Sequence, residues 1–108
     1  MTVESFAKTT GFKTLCMPSP DKEIDGAYIG DLLSWVMGKA ESGNVWITIM
    51  SNLNVVAVAT LADVSAILLC EGVLLDGEVL ALAESKGVNV LATDYSAFEV
   101  AKIISGAV

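Results

Sequence analysis

The chain has 108 residues, of which 54% are apolar, with a mean hydropathy of +0.65 and a net charge of −7. All six basic residues are lysines, and the chain has neither Arg nor His. This composition disfavours nucleic-acid binding, which needs clustered Lys and Arg. It also removes the bidentate clamp for phosphate or carboxylate, the base of a Ser-His-Asp triad and the commonest zinc ligand.

The length fits one domain spanning residues 1–108 with its own core. So apolar a small domain is expected to bury surface against a partner, and a two-fold homodimer is the commonest such arrangement. Thr2 is a candidate N-cap for a short helix with apolar Val3, Phe6 and Ala7 on one face, stopped by Gly11. Nothing in Met1–Phe12 has the charged and apolar regions of a secretory leader, so the cytoplasm is the expected compartment. Lys13–Met17 reads as a strand stopped by Pro18 and Pro20. Asp21, Glu23 and Asp25 read as a solvated charged loop rather than a cation site.

Ala27–Ile29 is a short strand. Asp31 is placed to cap a helix over Leu32–Ala40, whose Leu32, Leu33, Trp35, Val36 and Met37 predict a well-buried element. Trp35 and Trp46 are therefore both expected in the core. Glu41–Asn44 is a turn, and Val45–Met50 is the clearest strand, rich in β-branched and aromatic residues. Val55–Ala62 mixes valine with alanine. A helix is preferred there, because the next run, Ser65–Cys70, reads as a buried strand and parallel strands need a crossover. The acidic and polar residues that interrupt Leu53–Leu75 argue against a membrane span.

Asp76–Lys86 is an amphipathic helix closed by Gly87, Val88–Ala92 is a strand, and Thr93 or Ser96 caps a last helix over Ala97–Ile104. The order α-β-β-α-β-α-β-α-β-α predicts a three-layer α/β/α fold with a mostly parallel sheet of about five strands. Cys16 and Cys70 sit in apolar strands and read as buried free thiols.

Ligands of open parallel sheets bind beyond the carboxyl ends of strands, near a topological switch point. Three such ends are legible: Ser51–Asn54, Glu71–Gly72 and Thr93–Asp94. Ser51, Asn52, Asn54, Gly72 and Thr93 are the candidate ligand-binding residues. A helix N-terminus there would accept an anion without any Arg, although Ser and Asn are also ordinary caps. Glu71, Asp76 and Asp94 would oppose a strongly charged phosphate. The chain lacks the G-x-x-x-x-G-K-[ST], G-x-G-x-x-G and G-x-S-x-G patterns, and no cluster has metal-ligand spacing. No catalytic residue, metal or cofactor is assigned.

Tyr28-Ile-Gly-Asp-Leu-Leu-Ser-Trp-Val-Met37, Gly43-Asn-Val-Trp-Ile-Thr48 and Asn54-Val-Val-Ala-Val-Ala59 resemble small bacterial proteins of the DRTGG-domain family, often labelled as relatives of the HPr serine kinase. The resemblance runs from about Thr2 to Ile104. It implies a fold like the N-terminal domain of HPr kinase/phosphorylase. It also implies kinship with regulatory domains attached to phosphotransacetylases and to CBS-containing pyrophosphatases, where the domain is a dimerising accessory or sensory module. The kinase label does not transfer, because the phosphate-binding loop of that enzyme belongs to a separate domain. Without Arg, this chain also lacks an Asp-Arg-Thr-Gly-Gly motif.

Three readings remain in order of preference. The first is a non-catalytic regulatory or ligand-sensing module that binds a nucleotide or other small phosphorylated metabolite at the rim. The second is a module that docks onto a signalling or metabolic enzyme. The third is an enzyme of unknown reaction.

Overall fold

A computed structural model covers residues 1–108. It contains α1 (Val3–Thr10), β1 (Lys13–Cys16), β2 (Ala27–Ile29), α2 (Leu33–Lys39), β3 (Val45–Thr48), α3 (Asn54–Ala62), β4 (Ala66–Leu69), α4 (Gly77–Ser85), β5 (Val90–Ala92) and α5 (Ala97–Ile104). The predicted order holds throughout, including a helix at α3. The five strands form one sheet in the order β1-β5-β4-β3-β2. Pairings β2–β3, β3–β4 and β4–β5 are parallel, while β1 joins the far edge antiparallel to β5.

Each parallel strand is followed in the sheet by the next strand in sequence. Crossovers of one hand then place their helices on one face. This is the arrangement seen: Val36 of α2, Val55 and Val56 of α3, and Val79 and Ala83 of α4 pack with Trp46, Ile67 and Val90. The other face is covered by the terminal helices. Val3 and Phe6 of α1 and Val100 and Ile104 of α5 pack with Val45, Ile47, Leu68 and Leu91. The alternation of side chains along β3 and β4 divides the two cores, which explains why β4 is apolar at every position.

The caps follow local chemistry. Thr2 accepts from the Ser5 amide, Asp76 from Val79 and Ser96, rather than Thr93, from Glu99. Gly11 ends α1 at φ +76°. Two buried asparagines tie the loops at the amino ends of the strands. The Asn44 amide donates to the Asp25 carbonyl, while its oxygen accepts from the Glu41 amide. Asn89, which is completely buried, accepts from the Ser19 amide and donates to the Ser19 and Ser65 carbonyls.

Helix α2 departs from expectation. Only Val36 is buried, and Trp35 is 58% exposed, with the Lys39 ammonium 5.1 Å from its ring. The physical cause is position: α2 follows the edge strand β2 and packs beside α3, with nothing on its outer flank. Asp31 does not cap it either. Leu32 occupies the cap without a side-chain hydrogen bond, and the Asp31 carboxylate accepts from the Thr48 hydroxyl at 2.8 Å and the Ile49 amide at 3.0 Å. The neighbouring end of β3 therefore competes for this carboxylate and wins.

Asn89→Ala should leave the Ser19 amide and two carbonyls without partners. It is expected to cost roughly 3 kcal/mol, since a buried unsatisfied group costs about 1–3 kcal/mol. Urea unfolding monitored by tryptophan fluorescence would measure this. An unchanged midpoint would remove Asn89 from any structural role.

Candidate functional site at the carboxyl ends of the strands

The parallel strands end together, so the loops after β2, β3, β4 and β5 form one rim. The order from β2 to β5 never reverses, and α2, α3 and α4 share one face. Helix α5 leaves β5 for the opposite face, so the connections after β4 and β5 diverge at the strand ends. Any site there is built by the loops.

The loops after β4 and β5 build one. Glu71 and Gly72 are successive left-handed residues, at φ +60° and +76°. This conformation points two consecutive amides at the neighbouring loop: Glu71 donates to the Tyr95 carbonyl at 2.8 Å and Gly72 to the Thr93 carbonyl at 3.0 Å. A Cβ on Gly72 would lie 3.2 Å from a carboxylate oxygen of Asp94. Glycine thus supplies the left-handed turn and leaves room for that carboxylate. Beside this junction lies a cleft of about 200 Å³, lined by Lys13, Gly72, Leu74, Ala92, Thr93 and Asp94. Lys13 comes from β1, whose first residue pairs with Ala92. It makes no ion pair, since the three in the chain are Met1–Glu23, Glu4–Lys8 and Lys22–Asp63.

Gly72 and Thr93 are therefore brought together, whereas Ser51, Asn52 and Asn54 lie in the next loop and do not line the cleft. Their local roles are those of a helix start. The Asn52 side chain accepts from the Asn54 amide at 2.9 Å, and its carbonyl accepts from Val55. These contacts occupy the amides that an anion would use at the start of α3. The sequence reading missed Lys13 because it lies far away in the chain. It also missed the structural use of Asp31 at the ends of β2 and β3. The only available signal was the rule that an antiparallel edge strand brings its first residue to the last residue of its partner.

Neither cysteine is an activated nucleophile. Burial pushes the Cys70 thiol up to about 11, helped by the Glu71 and Asp31 carboxylates. Cys16 is also raised, first by burial and then by Glu84. Cys16 donates to the Val88 carbonyl at 3.4 Å and is only partly buried, in contrast to the expectation for both thiols. Two other concavities have different character. One, of about 250 Å³ between α3 and α4, is mainly apolar, and the other, of about 310 Å³ near Lys22 and Asp63, is polar.

The DRTGG domain profile matches residues 29–107. No curated protein matches the chain by sequence. Among solved structures, the CBS and DRTGG domains of the regulatory region of Clostridium perfringens pyrophosphatase, complexed with the activator diadenosine tetraphosphate, are similar in fold. The TM-score is 0.70 at 15% sequence identity, over 95% of this chain and 45% of that one. The present chain thus spans less than half of that regulatory region.

A thiol titrating near 11 is roughly one part in a thousand ionised at pH 8, so native Cys70 should react with iodoacetamide at least about 100-fold more slowly than in denaturant. The raised value also has a sign for stability. The unfolded thiol ionises first, so this contribution is complete below about pH 8.5 and is lost as pH rises toward 11. Alkylation followed by mass spectrometry, with urea midpoints across that range, checks both. Native Cys70 alkylating at the denatured rate would contradict its burial.

Proposed function

This chain belongs to the DRTGG domain family, and on that premise we propose that it is a non-catalytic regulatory module of the cytoplasm that senses a nucleotide or other small phosphorylated metabolite at the strand-end rim. The observation that carries the proposal is the cleft where Lys13, an unpaired cation, meets the Gly72–Thr93 junction. At about 200 Å³ the cleft suits a single phosphoryl group, with Lys13 offsetting the Asp94 carboxylate on its wall, and is smaller than a typical site of about 300–1,000 Å³ for a whole ligand. Base and sugar would therefore lie over the rim, toward Ser51, Asn52 and Asn54. The nucleotide activator bound by the pyrophosphatase regulatory region supports this ligand class. The raised Cys70 thiol argues against thiolate chemistry at the rim.

In this reading the module works as a homodimer, joined along the β2 edge and the outer flank of α2. That surface carries Ile29, Leu32, Trp35 and Met37, all exposed, and an edge strand leaves backbone groups free for pairing.

A thermal-shift screen against adenine and guanine nucleotides, dinucleoside polyphosphates and acyl phosphates tests the ligand. A compound at about 100 times its dissociation constant adds about 2.7 kcal/mol, a shift of several degrees for a domain of this size. Lys13→Met should remove that shift, and the combined Ser51→Ala, Asn52→Ala, Asn54→Ala variant should reduce it. A flat screen would remove the ligand reading.

For the dimer, sedimentation equilibrium should give twice the chain mass, reduced to the monomer by Trp35→Glu. A monomeric wild type at micromolar concentration would reject it.

A further inference from the structure

Several large exposed apolar side chains gather at the rim. Ile49 and Leu53 lie in the β3–α3 loop, Leu74 in the β4–α4 loop, Tyr95 in the β5–α5 loop, and Phe98, 71% exposed, in the first turn of α5. Each loop after β3, β4 and β5 thus carries at least one at the same end of the sheet. The loops at the opposite end, residues 18–26, 41–44, 63–65 and 86–89, carry none. The backbone couples the crown, because Cys70 donates to the Thr48 carbonyl and Glu71 to that of Tyr95.

The rim is also locally acidic. Asp31, Glu71, Asp76 and Asp94 lie in the rim loops, with Glu78 and Glu99 in the first turns of α4 and α5. The opposing cations are Lys13 in the cleft and Lys102, whose ammonium sits 5.7 Å from the Phe98 ring. We infer that this crown is a docking face for a partner protein whose apolar side chains are ringed by lysine or arginine. Exposed apolar side chains gathered at one end of a fold mark interaction sites, and aromatics such as Phe98 and Tyr95 are enriched at interfaces. The charge decides between occupants. A second copy would set carboxylates against carboxylates, and an anionic membrane or a nucleic acid would be repelled in the same way. A basic and apolar protein surface satisfies both features. The inference goes beyond the small-ligand reading and does not depend on it.

The test uses the ¹⁵N-labelled full chain titrated with a helical peptide bearing leucine on one face and lysine on the other, and with its counterpart bearing glutamate in place of lysine. The lysine peptide should shift the amides of Leu53, Leu74, Tyr95 and Phe98. Its affinity should fall at least ten-fold in Phe98→Asp, should weaken with added salt, and should be unchanged in Leu61→Asp, an exposed site on the last turn of α3. Both positions are exposed, so neither variant removes core contacts. Equal binding of the glutamate peptide, shifts centred elsewhere, or no binding of either peptide would overturn the inference. Concentration-dependent shifts of the same amides without peptide would also overturn it, by assigning the face to a second copy. In Lys13→Met the nucleotide response should vanish while the peptide shifts persist, so the two readings fail separately.

Discussion

Handedness governs this molecule. Three successive crossovers of one hand, each joining a strand to its neighbour, commit α2, α3 and α4 to one face of the sheet. The other face would then be bare, and only the segments outside the crossovers can cover it. Helices α1 and α5 do so, with Val3, Phe6, Val100 and Ile104. The same constraint makes all four parallel strands end at one rim. Along that rim the connections diverge only between β4 and β5, where α4 and α5 leave for opposite faces, and the cleft lies there.

At that surface, hydrogen-bond accounting separates structural from available groups. The amides of Glu71 and Gly72 serve the β5–α5 loop, and the Asn54 amide serves Asn52. The Asp31 carboxylate serves β3. What remains uncommitted is one lysine, the Glu71 and Asp94 carboxylates and a set of exposed apolar side chains. The rim thus offers a single cation within and apolar surface around it.

Much of the fold was legible because its elements are separated by unambiguous punctuation. Gly11, Pro18 and Gly87 stop their elements, and Thr2, Asp76 and Ser96 cap theirs through contacts within three residues. Unbroken hydrophobicity identified β4 because it lies between two strands with helices on both faces. Local pattern failed where the outcome depended on distant neighbours. Nothing near Trp35 in sequence shows that α2 lies at an edge. Asp31 has the chemistry of a cap, and only the adjacency of β2 and β3 redirects it. The site shows the same divide. Gly72 and Thr93 follow from the strand-end rule, whereas Lys13 enters through pairing with Ala92 across nearly the whole chain.

That last pairing has a consequence for the order of assembly. Pairings among β2, β3, β4 and β5 each close over a single helix, so they can form stepwise along the chain with modest loop-closure entropy. Strand β1 can dock only after β5 exists, and α1 and the Lys13 wall of the cleft arrive with it. The cleft is then a late product of folding. A ligand held by Lys13 would bind only chains that had completed this closure, and occupancy would act as a latch on the final step of maturation.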